Sequence, residues 1–145
     1  MAGELRRLEE LTPQECLGLL GSISLGRIVF TARALPAVRL VSHLVDGDHV
    51  VIRADRGAAI TSSRRADAGT VVAYQADAID PAEQLGWSAT VVGEARQVTD
   101  PAAAAAYRQA LRHWVAGPDD QLISIHAGMV TGFRLVASDV AQACG

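Results

Sequence analysis

The sequence predicts a small antiparallel β-barrel with few helices, and three observations support this class. Short segments rich in β-branched residues recur along the chain, separated by turn signals. Half of the 145 residues are hydrophobic and only 20% are charged, so a single domain with a sizeable core can form. Helical patterns are few and short. Strands linked mainly by hairpins, without alternating helices, are typical of a small barrel.

The first predicted element is a helix that follows an N-terminal extension at residues 1–10. Thr12 can cap this helix, and Pro13 suits its first turn. Glu15 can reach back towards Thr12 to complete a capping box. Leucines then supply an apolar face, and Gly21 ends the helix.

Six or seven strands form the predicted barrel domain, which spans residues 11–137 and precedes a tail at residues 138–145. A short helix is predicted at residues 57–66, and a second begins with Asp100 as its cap and leads through alanines towards Trp114. The predicted strands lie at residues 25–31, 36–45, 48–54, 69–76, 87–99, 122–127 and 129–136.

A two-residue hairpin turn at residues 46–47 predicts how the second and third strands face each other. This loop pairs Leu40 with Arg53. Because paired residues share a face of the sheet, Ser42 is expected on the side of Arg53 and Val41 on the opposite side.

Arg53 ends the third strand and is followed by a loop that contains Gly57 and leads into a predicted helix. A guanidinium, backbone N–H groups and a helix N-terminus can together form a phosphate cradle. The alternative is a solvated arginine at a strand end. Arg39, on the preceding strand, is either a rim arginine or an interface or cofactor residue.

Trp87 and Ser88 open the fifth strand, and Trp87 is one of only two tryptophans in the chain. An indole at a strand start can be core packing. It can equally be a flat wall for a flat ligand, with the neighbouring serine as a polar handle.

Composition argues against several other classes of protein. A net charge of -3 provides no basic field, so a nucleic-acid partner is not expected. All 13 cationic residues are arginine, so a P-loop lysine or a lysine Schiff base is absent. Cys16 and Cys144 show no metal spacing, the four histidines are scattered, and no metal site is expected. No signal peptide or membrane-spanning run is apparent, which predicts a cytoplasmic protein.

An ordered series of short motifs resembles the pyridoxamine 5′-phosphate oxidase-like proteins, the flavin-binding split β-barrels. The resemblance covers roughly residues 11–136. No single motif is decisive, but the order is fairly specific. The matching stretches are residues 15–20, 25–30, 45–53, 86–88, 92–101, 114–117 and 130–134.

This resemblance implies a split β-barrel homodimer with two FMN sites at the subunit interface. The third strand and its following loop would hold the flavin phosphate and ribityl chain, the second strand would lie along the ring, and the partner would contribute the fifth strand. With Arg39, the candidate cofactor-binding residues are then Arg39, Val41, Ser42, Arg53, Gly57, Trp87 and Ser88.

Two departures from the family pattern keep a second function open. After the arginine, relatives usually carry threonine, glycine and a phosphate-binding lysine. Here the glycine is kept as Gly57, but Ala54 replaces the threonine and Ala59 replaces the lysine.

The first hypothesis is a flavin-dependent oxidoreductase of unknown substrate that uses FMN, or the deazaflavin F420 as an alternative. The second is a dimeric module that has weakened or lost its cofactor and binds or senses a small ligand.

Overall fold

A computed structural model describes residues 5–55, 60, 70–111 and 120–138 as a mainly β fold with two helices. The predicted helix at residues 57–66, apart from Ile60, lies outside the described part, and so do Gly57 and Ala59 within it. Trp114 and the tail beyond residue 138 lie outside it as well. The elements are β1 (Arg6–Glu10), α1 (Pro13–Gly21), β2 (Leu25–Ala32), β3 (Leu35–Asp46), β4 (His49–Asp55), β5 (Thr70–Asp80), β6 (Leu85–Gln97), α2 (Pro101–Ala110), β7 (Asp120–His126) and β8 (Met129–Ala137).

Six strands close into an antiparallel barrel in the order β6-β5-β2-β3-β4-β7, with β7 pairing back onto β6. The remaining strands, β8 and then β1, extend the sheet from the first half of β6. This topology confirms the predicted fold class, a mainly β split barrel.

β6 changes partners at Gly93, where its pairing with β8 gives way to pairing with β7. A Cβ atom at this position would collide with the carbonyl oxygen of His126. Only glycine lets the two backbones approach so closely, and this approach closes the barrel.

The capping box predicted for α1 is present. The Glu15 amide donates to Thr12 Oγ1 at 3.2 Å, and the Thr12 amide donates to Glu15 Oε1 at 3.2 Å. The hydrogen bond from the Thr12 backbone lowers the pKa of Glu15. α1 buries Cys16 and Leu20 and contacts β3, β6 and β8.

Three apolar clusters hold the fold together. The barrel interior is the largest. A second cluster, Leu11, Cys16, Trp87 and Ala89, lies beneath α1. On the outer face of β4 and β7, a third cluster of Val51, Leu111 and Leu122 is joined by residues of α2. The fully buried side chains of the interior include Leu20, Ile28, Val50, Ile52, Tyr74, Val91, Ile123 and Ile125.

The β3–β4 hairpin turns one residue later than predicted. Its loop is residues 47–48, so the predicted pairing of Leu40 with Arg53 is wrong and Ser42 faces Arg53 instead. Gly47 has φ +59°, the left-handed value that glycine adopts without steric cost at the first loop position. The register moves by two residues, so the predicted sharing of one face by Ser42 and Arg53 is confirmed.

Three other elements differ from expectation. The N-terminal extension contains β1, which pairs with β8 and had no apolar alternation to indicate it. The strand predicted at residues 69–76 is longer, since β5 includes Asp77 and runs on to Asp80. α2 ends at Ala110, where the Leu111 cap is already extended. Within the described residues, neither helix has the length and apolarity needed to cross a bilayer.

Candidate functional site

Ser42 and Arg53 lie side by side on the outer face of the barrel, as register partners on β3 and β4. Their neighbours along the two strands, Leu44 and Val51, belong to the cluster beneath α2. Ser42 and Arg53 therefore stand at the border between the covered and the open part of this face. Arg53 is half-buried, which favours a guanidinium held by its surroundings over a solvated one.

The Ser42 hydroxyl is buried without a hydrogen-bond partner among the described residues. The side chain is only 1% exposed. Leaving such a group unsatisfied costs about 1–3 kcal/mol, so native proteins rarely retain one without a reason. An unpaired hydroxyl beside an arginine is suited to bind a ligand that offers it a hydrogen-bond donor or acceptor.

A separate chain of polar side chains crosses the outer face from β2 through β5 to Ser88. Gln75 Nε2 donates to Ser88 Oγ and to Asp77 Oδ2, both at 3.0 Å. Arg27 Nη1 lies 3.6 Å from Asp77 Oδ2 and 3.4 Å from Gln75 Oε1. Ser88 is thus held by β5 and oriented on the same face as Ser42.

A cleft of about 380 Å³ opens between the start of β2 and the middle of β3. Leu25, the second register partner of Ser42, forms part of its floor, and Leu40 lies on its β3 side. The Arg27–Asp77 ion pair forms the opposite wall. An apolar floor, a charged wall and a volume within the range of small-molecule pockets are suited to an amphipathic organic ligand.

The other sequence-predicted site residues fall in different places. Val41 points into the barrel interior and Trp87 into the cluster beneath α1, where they are 4% and 7% exposed. In this protomer the indole is core packing, and Val41 could meet a ligand only through its backbone. Arg39 is exposed on β3, opposite Ile28. The roles of these three residues in cofactor binding stay predictions.

Directly behind the site, His43 joins α1 to β5 through the barrel interior. Its Nε2 lies 2.8 Å from the Leu20 carbonyl oxygen, which can only accept, so Nε2 carries the proton. Nδ1 is then the acceptor for the Tyr74 hydroxyl. Burial lowers the pKa of His43 and raises that of Tyr74, so both remain neutral and rigidify the strand that carries Ser42.

A second polar group lies at the far end of β4. His49 and His126 are register partners, and Asp48 lies 2.8 Å from His49 Nδ1 and 3.2 Å from His126 Nε2. Histidines that are scattered in sequence therefore meet in space. Even so, no group of three or more histidine, cysteine, aspartate or glutamate side chains in the described ranges is arranged to hold a metal ion.

Sequence reasoning identified Ser42, Arg53 and Ser88 but missed the polar residues that contact Ser88 and line the cleft. Arg27, Gln75 and Asp77 lie on two strands that are far apart in sequence, and nothing in their local pattern distinguishes them from ordinary surface residues. Outward-pointing polar residues at alternate positions of β5 were the only available signal.

The closed six-stranded barrel, extended by β8 and β1, defines the class as a split barrel. The chain belongs to the pyridoxamine 5′-phosphate oxidase family, whose model matches residues 12–144. An uncharacterized protein of Mycobacterium tuberculosis, Rv0080, is 44% identical over 134 residues, which is 91% of this chain and 88% of that protein.

Solved structures show the same fold. The FAD-binding protein of Mycobacterium smegmatis superposes with a TM-score of 0.64 at 26% identity, covering 88% of this chain and 98% of that one. A FAD-binding protein of Mesorhizobium loti gives a TM-score of 0.72 at 15% identity, covering 91% and 99% respectively. Both of these structural neighbours are FAD-binding proteins.

Proposed function

We propose that the protein binds a flavin, FMN in the first instance, at Ser42 and Arg53 and acts as an oxidoreductase. The unpartnered Ser42 hydroxyl beside Arg53 carries the proposal, since a bound ligand would satisfy it. Family membership and the FAD-binding neighbours support a flavin as that ligand. A bound flavin would supply hydride or electron transfer, which no side chain of this site can perform alone.

The residues present fit such a cofactor in separate ways. Arg53 would face an anionic phosphate, and the Ser42 hydroxyl would hydrogen-bond a polar edge of the ligand. The apolar floor of the cleft would exclude water from one side of a ring. Ala54, where relatives carry threonine, packs in the barrel interior at 2% exposure, so its side chain does not face the site.

Cofactor binding is tested by spectroscopy of the purified protein, followed by titration with FMN, FAD and F420. We expect flavin absorbance or FMN binding, weakened about 10-fold or more in Arg53→Gln, because a charge-assisted contact contributes about 1.5–3 kcal/mol. Arg96→Gln, on the exposed Glu94 pair, is the matched control and should bind normally. Colourless protein that binds none of the three cofactors would contradict the proposal.

The expected homodimer is part of the same proposal. One apolar row crosses the outer face over five strands: Val38 pairs with Val29, Val29 with Ala73, Ala73 with Val92, and Val92 with Met129. Its two ends are 60% and 61% exposed. A continuous apolar stripe with half-buried middle residues and exposed ends favours burial against a second copy.

Val38→Asp and Met129→Asp test this interface, because both side chains are exposed in the protomer and should not disturb its core. We expect either change to lower the sedimentation coefficient to that of a smaller species. A wild-type protein that sediments only as a 15.2 kDa monomer would contradict the dimer. The cytoplasmic location stays a prediction of the sequence.

A further inference from the structure

β1 is an edge strand that lies before the part of the chain matched by the family model. Among the described strands it pairs only with β8 and stands at the end of the strand order. The family match begins at residue 12, whereas β1 covers Arg6–Glu10. Its outer edge is a row of backbone donors and acceptors that another strand can join.

The direction of those backbone groups follows from one hydrogen bond. The Leu11 amide donates to the Gly132 carbonyl of β8 at 2.9 Å. In an antiparallel ladder, hydrogen-bonded and non-hydrogen-bonded positions alternate. The backbone groups of the odd-numbered residues of β1 therefore hydrogen-bond with β8, while the N–H and C=O groups of Arg6, Leu8 and Glu10 point to the open edge.

The side chains of β1 are charged in a self-complementary order, Arg-Arg-Leu-Glu-Glu. When two such strands run antiparallel about Leu8, Arg7 of each lies opposite Glu9 of the other. Arg6 faces Glu10 in this register, but its guanidinium donates to backbone carbonyls within the protomer, so the charge match depends on Arg7 and Glu9. Arg7 and Glu9 form an ion pair of 3.7 Å within one chain, and because both side chains are about half exposed, each can also reach a partner strand. Leu8 is 62% exposed and would meet its own copy at the two-fold axis.

We propose that β1 pairs antiparallel with β1 of a second copy of this chain, with the two-fold axis at Leu8. This register is the one that matches opposite charges, and it also places the outward backbone groups of both strands opposite each other. About six backbone hydrogen bonds would form.

Neighbouring registers are disfavoured by the same charges. A shift of one strand by two residues places Arg7 opposite Arg7, or Glu9 opposite Glu9, and like charges opposite each other destabilise a pair. Charges on an edge strand usually prevent association. Here the order of the charges favours one register and disfavours its neighbours. Because the contact is two-fold symmetric, each β1 edge can pair with only one other copy.

This contact is separate from the apolar row that supports the proposed dimer. Val38 and Met129 lie on the outer face of the barrel sheet, whereas β1 presents an edge. The β1 contact alone would produce a dimer, and together with the apolar-row contact it would join dimers into a larger assembly. In either case, loss of the β1 contact lowers the mass, independently of flavin binding. A five-residue strand buries little area, so the association should depend on concentration.

Charge exchange at Arg7 and Glu9 tests the contact through sedimentation velocity over a concentration series. Arg7→Glu and Glu9→Arg should each lower the mass to that of the species without the β1 contact, because each places like charges opposite one another. An equimolar mixture of the two variants should regain the wild-type mass, since the carboxylate introduced at position 7 of one variant then meets the guanidinium introduced at position 9 of the other. Arg96→Glu is the matched control: it alters an exposed i, i+2 pair with Glu94 on β6 and should leave the mass unchanged.

Leu8→Pro provides a second, charge-independent test. Proline removes an outward N–H that β8 does not use, so β1 can stay paired with β8 while the open edge is blocked. We expect this variant to keep the mass of the species without the β1 contact at every concentration, whereas the wild type gains mass as its concentration rises. The proposal is overturned if Leu8→Pro or both charge variants keep the wild-type mass, or if mixing the charge variants fails to restore it.

Discussion

Replacing Ser42 with alanine should make the apoprotein more stable and its ligand binding weaker. The hydroxyl is 1% exposed and has no partner in the described part of the chain, so the folded state bears an uncompensated desolvation cost. That cost is about 1–3 kcal/mol for a neutral hydroxyl. Part of the gain is offset by the small void left by the lost oxygen.

We therefore expect Ser42→Ala to raise the free energy of unfolding of the cofactor-free protein by about 1 kcal/mol. For a chain of this length the corresponding rise in Tm is about 3 °C. If the hydroxyl hydrogen-bonds the flavin, affinity should fall by about 0.5–1.5 kcal/mol, which is about 2- to 12-fold in Kd. Urea unfolding and FMN titration measure the two effects.

Ser88→Ala is the matched control, because its hydroxyl accepts a hydrogen bond from Gln75 at 3.0 Å. The same atom deletion should here lower stability by about 0.5–1.5 kcal/mol. The two serines should thus change stability in opposite directions. If Ser42→Ala lowers the unfolding free energy of the apoprotein, its hydroxyl is satisfied after all and the reasoning for the site fails.

Four further predictions concern the scaffold around this site. Arg33 and Ala34 form the β2–β3 turn with φ of 52° and 63°, so Arg33→Asn with Ala34→Gly should stabilise the protein by about 1 kcal/mol in urea unfolding; no gain would argue against backbone strain there. Burial lowers the pKa of His43, so only the unfolded chain takes up this proton as the pH falls below about 6.5, and stability is lost until the folded pKa is also passed. Compared with His43→Gln, the wild type should therefore lose more unfolding free energy between pH 7.5 and pH 5.5; equal losses would contradict a neutral His43. Tyr74→Phe leaves Nδ1 of His43 unsatisfied and should cost about 1–3 kcal/mol in thermal unfolding, and a neutral result would contradict the hydrogen bond between the two side chains. Gly93→Ala should lower the free energy of unfolding by more than about 2 kcal/mol, because the added methyl collides with backbone where the barrel closes. Thermal unfolding followed by circular dichroism measures this loss, and an unchanged melting temperature would contradict the close approach.

Local signals predicted most of the described fold. Thr12, Pro13 and Glu15 specify the start of α1 through contacts within four residues, so the capping box was predictable from the chain. Strand periodicity placed seven of the strands. β1 was not predicted because four of its five residues are charged, and only its pairing with β8 makes it a strand.

The face shared by Ser42 and Arg53 was predictable because side chains alternate with a period of two, and a turn shifted by one residue preserves that parity. The exact partner of Arg53 was not, since it depends on which loop position adopts a positive φ. Gly47 adopts the positive φ at the first loop position, which places the loop at residues 47–48. The sequence alone allowed a loop at residues 46–47 equally well.

The sequence by itself determined the fold class, the cap of α1 and the side of the sheet on which Ser42 and Arg53 lie, because each depends on residues close together in the chain. The tertiary structure alone decided that Trp87 is core packing in the protomer, that the Ser42 hydroxyl is buried without a partner among the described residues, and that Arg27, Gln75 and Asp77 connect Ser88 to the cleft. These properties arise where β2, β5 and β6 meet, and burial and hydrogen-bond satisfaction exist only once strands distant in sequence are packed together.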